Sequence, residues 1–252
     1  DDEEKFIEEL WEKMWFKVEV WYAYIKEIQK LYPSKSLEEL AREKRYAFFN
    51  AILNIYESKY ILTAHHLDDK IETFFHNLAR WTKLTWLINM TESSGAILRP
   101  LLHLEKNKIL DYLNENNLEY KIDETNKDNS ITRNKLRNVI IPEFYDINPS
   151  FKKNIEKTMD YFWEVKKFLD EEVKKFLWEN KYFEIEKFNN LSSLLQKEIL
   201  RYIYFISNWN STIWLSEANI SEVLRFINGP NWKWEKDIWE MKLKKEKKKI
   251  YY

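Results

Sequence analysis

Glycine sets the first limit on this chain. Turns and helix ends that need a positive φ usually fall to glycine, because any other residue brings its Cβ against a neighbouring carbonyl. Ordinary usage of ~7% would give a chain of this length about 18 glycines. The 252 residues contain 2, beside 12 tryptophans. Several tryptophans stand where glycine is expected. Trp15 follows an amphipathic helical pattern, at the position where many helices end in the left-handed region. Trp209 and Trp232 each follow an asparagine in a polar stretch, in the manner of Asn-Gly turns. The composition therefore predicts that many of these tryptophans are glycines in the natural protein, a stop codon reassigned to glycine having been translated as tryptophan. A Trp-rich protein is the plain alternative. Trp11 and Trp178, inside helical patterns, fit either reading. The chain opens at Asp1 inside a helical pattern, which is expected of a fragment or a processed start.

Other absences narrow the chemistry. With no cysteine, disulfide frameworks, thiolate nucleophiles and iron–sulfur clusters are excluded. Any reaction must use carboxylates, histidines, arginines or lysines. The hydrophobic fraction of 44% is enough for a core, and the formal net charge of −1 argues against a general nucleic-acid coat while allowing local basic patches. No basic and apolar leader opens the chain and no run approaches ~18 apolar residues, so a cytoplasmic protein without a membrane span is expected.

Residues 3–14 carry apolar residues at helical spacing, and 17–22 alternate like a short strand. Ser36 and Glu39 form a capping box ahead of a long helix over 37–56. Residues 60–64 suit a buried parallel strand, 67–80 a helix with Asp68 and Asp69 in its first turn, 96–99 a strand, 105–116 a helix and 118–122 a last strand. This alternation predicts an α/β fold with a largely parallel sheet. After the polar loop 123–133 it stops. Helices are expected over 133–144, 151–179, 191–206 and 216–227, then a β-hairpin over 233–252. The predicted domains are 1–147 and a mainly helical 148–252. Lys166, Lys167, Lys174 and Lys175 read as a solvated face and the terminal lysine run as a solvated edge strand, with RNA contact the alternative for each.

The most concentrated polar block runs from Thr63 through His65, His66, Asp68, Asp69 and Glu72 to Thr73, where a strand passes into a helix. Ligands bind at such carboxyl ends of strands. Asp69, Glu72 and His76 share a helix face, and the two carboxylates can hold a metal ion or an ammonium group. A capped helix with solvated acids accounts for the spacing equally well. A zinc site on His65 and His66 is disfavoured, since adjacent helix residues point apart. Arg42 and Arg45, at i, i+3, share a face of the long helix, and Arg133 and Arg137 are spaced i, i+4. Either pair can reach phosphate.

In register, these segments resemble tRNA(Ile)-lysidine synthetase. They are Ala41-Arg-x-x-Arg-Tyr46, His65-His-Leu-Asp-Asp-x-x-Glu-Thr73, Asn77-Leu-Ala-Arg80, Leu98-Arg-Pro-Leu-Leu102, Asp123-Glu-Thr-Asn126 and Arg133-Asn-x-Leu-Arg137. The likeness runs from about residue 1 to 165. Where the family has Arg-Gly-Thr-Gly-Leu-x-Gly-Leu this chain has Arg80-Trp-Thr-Lys-Leu-Thr-Trp-Leu87, tryptophan at two of three glycines. The resemblance implies a PP-loop fold, with ATP and Mg²⁺ as cofactors. The implied reaction is adenylation at C2 of the wobble cytidine of a tRNA(Ile) with a CAU anticodon, then attack by the ε-amine of L-lysine. It implies catalytic roles for Arg45, Asp69, Glu72 and Arg137, with Asp69 and Glu72 on the lysine ammonium or on Mg²⁺. His65, His66 and Asp68 would lie against the nucleotide, and Arg80, Arg99, Arg133, Asn134 and Lys135 against tRNA. The helical part after 148 would be the tRNA-binding domain; a homodimer is left open.

The family's phosphate-cradling Ser-Gly-Gly-x-Asp-Ser loop and first strand are absent from these residues and are expected upstream of Asp1. The 252 residues alone are therefore expected not to adenylate. Three other readings compete: a different PP-loop tRNA modifier, a non-catalytic RNA-binding remnant, and a metal-binding α/β protein built on His65, His66, Asp68 and Asp69.

Overall fold

The computed structural model describes residues 2–80, 83–88, 90–121, 124–178, 180–208, 215–230 and 234–252. The tryptophans at 81, 209 and 232, and Asp123, lie outside the described residues. The chain divides into two units, Asp1–Glu156 and Lys157–Tyr252.

Unit one begins with α1 (Asp2–Lys13), α2 (Ile25–Leu31) and α3 (Leu37–Ile55). The capping box expected at the start of α3 is half realised in the hydrogen bonds: Ser36 Oγ accepts from the Glu39 N–H at 3.2 Å. β1 (Ile61–Leu62) leads into α4 (Leu67–Ala79), followed by α5 (Leu84–Leu87), β2 (Ser93–Ser94), β3 (Ile97–Leu98) and α6 (Lys106–Glu115). β1 and β3 are parallel, Ile61 opposite Ile97, and β2 adds antiparallel to β3, giving the order β1-β3-β2. The α/β alternation is therefore present, on a smaller sheet than expected. Residues 17–22 and 118–121 are not strands among the described residues. Neither finds a partner strand for its backbone groups, and alternation alone does not supply one.

A 3₁₀ turn (Glu124–Lys127) precedes α7 (Thr132–Lys135), a π-helical turn (Leu136–Ile140) and α8 (Ile141–Ile147). The single helix expected over 133–144 is thus interrupted by a wider turn. Leu40, Leu67, Ile71, Phe74, Ile97, Leu102, Leu136 and Ile141 are buried. Phe75 meets Phe144 and Phe151 with ring centroids 5.4 and 5.8 Å apart, and Phe144 stacks on Phe151 at 4.9 Å. Those rings fix α8 and the start of the next helix, α9 (Phe151–Leu177), against α4.

Unit two takes in the rest of α9, then β4 (Tyr182–Glu184), α10 (Ile185–Asn189), α11 (Ser193–Ser207), α12 (Glu217–Asn228), β5 (Glu235–Ile238), β6 (Met241–Glu246) and β7 (Lys249–Tyr251). The expected hairpin is a four-stranded antiparallel sheet of order β4-β7-β6-β5. β6 is thus an inner strand. Its lysine run is not a solvated edge, because alternation sends Met241, Leu243 and Lys245 inward. The Lys245 ammonium donates to the carbonyls of Ile227 at 2.9 Å and Gly229 at 2.7 Å, closing the carboxyl end of α12. On α9, Lys166 pairs with Asp170 and Lys175 with Glu172.

Three helices of unit one end alike. At α1 the Phe16 N–H reaches the Trp11 carbonyl and the Trp15 N–H the Glu12 carbonyl, both at 3.0 Å, the doubled bonding of a Schellman motif. Trp15 has φ 61, and the matching positions of α3 and α6, Glu57 and Asn117, have φ 50 and 51. Trp178 and Trp239, at φ 34 and 54, bring the tryptophans to three of the six non-glycine residues with positive φ among the described residues. Trp178 lies just past the end of α9, not inside the helix. Bulky side chains are rare in this region, so these three positions support the glycine reading of Trp15 and extend it to Trp178 and Trp239. No helix among the described residues is long and apolar enough to cross a membrane.

Candidate functional site

The site is built where β1 passes into α4. The Asp69 carboxylate accepts the His66 N–H at 3.0 Å and closes the first turn of α4. Asp68 faces the other way. It accepts the Lys106 N–H at 2.8 Å, capping α6, and pairs with the Lys152 ammonium at 2.8 Å, which also reaches Glu105 at 3.1 Å. Burial works to raise the Asp68 carboxyl, but Lys152 and the Lys106 N–H outweigh it and hold it below its ordinary value. Nothing in the sequence separates Lys152 from the other lysines of a long charged helix.

One turn into α4, Glu72 points inward, its side chain 5% exposed. A buried carboxylate needs a cation, and Arg137 supplies it. Arg137 Nε donates to Glu72 Oε1 at 2.5 Å and Nη2 to Glu72 Oε2 at 2.8 Å, a bidentate pair. Nη2 also reaches Asp69 Oδ1 at 3.4 Å, and Nη1 donates to Asn126 Oδ1 at 3.1 Å. Burial pushes the Glu72 carboxyl up while Arg137 pulls against it; Glu72 in turn raises Arg137. A cavity of about 90 Å³ adjoins the pair, lined by Asp68, Ile71, Glu72, Lys106, Arg137, Ile141 and Tyr145.

Three of the four expected catalytic residues, Asp69, Glu72 and Arg137, therefore meet. Arg45 does not join them: it lies on α3 in the lining of a separate cavity with Trp21, Phe48 and Phe49. Arg42 instead stacks over the Tyr46 ring at 4.8 Å. His65 Nδ1 is 2.8 Å from Thr63 Oγ1, and burial lowers the pKa of the ring, favouring the neutral imidazole. The second histidine, His66, stands 3.4 Å from Asp69 Oδ2. Among the described residues no three His, Cys, Asp or Glu side chains gather as a metal site. The Arg137 guanidinium occupies the place between Asp69 and Glu72, so the two carboxylates converge on one cation.

Of the residues expected to meet tRNA, Arg99 and Asn134 turn inward. Arg99, buried, donates to the Thr91 carbonyl at 2.8 Å and braces the β2–β3 hairpin. Asn134 donates to the carbonyls of Thr125 at 2.8 Å and Asp128 at 2.9 Å, fixing the polar loop. Arg80 and Lys135 are exposed, and Arg133 Nε lies 3.5 Å from Glu38.

A sequence model of the PP-loop domain matches residues 1–144. The chain belongs to the PP-loop family. Within it, the chain is 37% identical over 150 residues to the tRNA(Ile)-lysidine synthase of Thermosipho africanus, covering 59% of this chain and 35% of that protein. It is 33% identical over 181 residues to the enzyme of the same name from Staphylococcus aureus, covering 66% and 42%. The likeness to the one from Francisella tularensis subsp. novicida is 29% over 219 residues, covering 84% and 54%. The chain thus spans between about a third and about half of these curated relatives.

Proposed function

We propose that this chain serves an ATP-dependent carbon–nitrogen ligase that joins L-lysine to C2 of the wobble cytidine of a tRNA(Ile) with a CAU anticodon, so that AUA is read in place of AUG. The observation that carries the reading is the pair of carboxylates, Asp69 and Glu72, converging on one cation at the end of β1 in a PP-loop chain. That seat fits the ammonium of lysine. Glu72, whose carboxyl burial pushes up, is suited to take the proton that the amine must lose before it attacks. Arg137 suits the charge that develops on a phosphate once it leaves the carboxylates. ATP activates the cytidine carbonyl oxygen by adenylation. The exposed Arg80 and Lys135 are proposed phosphate contacts, and the helical unit two is proposed to hold the tRNA by shape and backbone.

The test mixes the purified protein with radiolabelled L-lysine, ATP and a CAU tRNA(Ile) transcript. Saturable lysine binding that Glu72→Gln abolishes is expected; lysine binding indifferent to Glu72 overturns the reading. No lysidine is expected from these 252 residues alone, whose two glycines, Gly95 and Gly229, leave no Ser-Gly-Gly-x-Asp-Ser cradle. Lysidine formed by them would refute that second expectation.

A further inference from the structure

Arg137 has two duties that its present position does not let it perform together. Its Nε and both Nη2 bonds go to Glu72 and Asp69 and one Nη1 bond goes to Asn126, so the guanidinium faces carboxylates and most of its donors are turned away from a phosphate. The carboxylates that suit an incoming ammonium already hold a cation. The adjoining cavity of about 90 Å³ is far below the ~300 Å³ of a small-ligand site, so a free amino acid does not fit beside Arg137 as it stands.

We propose that Arg137 is a resident stand-in for the substrate ammonium, and that lysine binds by cation exchange, displacing the guanidinium from Asp69 and Glu72 and releasing it toward the phosphate. This rests on the reading of Asp69 and Glu72 as the ammonium seat and adds how that seat is regulated. Three observations carry it. The exchange leaves Glu72 paired throughout, which a buried carboxylate requires. Arg137 already lies against both oxygens of Glu72 and one of Asp69, so a second cation in the seat would stand in contact with the guanidinium and be repelled by it. And Arg137 sits in the π-helical turn Leu136–Ile140 between α7 and α8, an irregularity that holds one extra residue per turn. Re-forming that turn as α-helix would swing Arg137 by roughly 100° about the axis without unfolding its neighbours.

The consequence is linkage. A ligand that binds only the exchanged state pays the population of the closed one; with about nine-tenths of molecules closed, apparent lysine affinity falls about tenfold. Coupling is reciprocal, so lysine must tighten anion binding and anions must tighten lysine binding.

Calorimetric titration of L-lysine into the intact chain, Glu72→Gln, Arg137→Gln and the double variant E72Q/R137Q tests this. The single variant is expected to bind lysine about tenfold tighter than the parent, and the double variant to lose the gain. If Arg137→Gln binds lysine no better while Glu72→Gln abolishes binding, the ammonium seat stands and the stand-in role is overturned. If lysine binds none of these proteins, the reading of the seat fails and the exchange with it. A measurement on the unaltered chain covers the case in which Arg137→Gln does not fold. Inorganic phosphate, which needs no Ser-Gly-Gly-x-Asp-Ser cradle, is titrated with and without saturating lysine, and its affinity is expected to rise several-fold with lysine; an unchanged affinity overturns the proposal.

Discussion

The β5–β6 hairpin offers the sharpest test of the glycine reading. Ile238 pairs with Met241, so the loop is Trp239-Glu240, and Trp239 has φ 54. The β2–β3 hairpin repeats this construction: Ser94 pairs with Ile97, and the first loop residue is Gly95 at φ 59. A two-residue loop with positive φ at its first position alone is the arrangement that favours glycine there. Trp239 cannot relieve its strain by fraying, because Ile238 and Met241 on either side are buried in the sheet core.

The left-handed conformation costs an L-residue ~1–2 kcal/mol, and the greater freedom of glycine in the unfolded chain returns ~0.5–1 kcal/mol of that. Trp239→Gly should therefore exceed Trp239→Ala in stability by about 1 kcal/mol, roughly fivefold in the folding equilibrium. The comparison with alanine matters because both variants lose the indole, 64% exposed here, so only the Cβ differs between them. Trp239→Asn should fall between the two, since asparagine tolerates this region. Urea titration followed by far-ultraviolet circular dichroism measures the difference as a midpoint shift at constant slope. An alanine variant as stable as the glycine variant would refute the reasoning.

Two further outcomes follow from buried charges. The Asp68 pKa is lowered below its ordinary 3.8, so its pairing with Lys152 and the α6 N–H stabilises the fold above that value, and the contribution is lost as pH falls through the lowered value. Asp68→Asn should accordingly be less stable than the parent at pH 7, with the gap closing in acid, as thermal melts from pH 7 to pH 3 would record. Lys245→Ala removes the ammonium from two carbonyls at the end of α12 and opens a cavity between α12 and the sheet, which should cost about 1–3 kcal/mol in urea unfolding; a solvated lysine would cost almost nothing.

Much of unit one was readable because its elements are local. α3, α4 and α6 announce themselves by apolar spacing, α3 and α4 also by acidic first turns, and the observed limits fall within a few residues of those expected. Strands fared worse, since a strand exists only when another chain segment accepts its hydrogen bonds. Residues 17–22 have the alternation without the partner, while β4 has a partner, β7, from the far end of the chain and no signal of its own. The lysine run misled for a related reason. Charge on a strand looks solvated until the sheet order shows that β6 has neighbours on both sides, and then period two forces every second residue, Lys245 included, into the interior.

The candidate site shows the same division between what is local and what is not. Spacing along α4 put Asp69 and Glu72 on one face and left two readings equal, a seat for a cation or a helix capped by solvated acids. Burial separates the two acids. Asp69 does cap, through the His66 N–H, and if both were caps Glu72 would lie in water too. It lies instead in a turn of the helix that is buried all round, Ile71, Thr73 and Phe74 being buried with it. A fold selected for stability alone gains by an apolar residue at such a place, since a buried ion pair seldom repays its desolvation. The exchange proposed above accounts for keeping a carboxylate there, and a guanidinium on a π-helical turn to satisfy it: the carboxylate is held ready for a different cation.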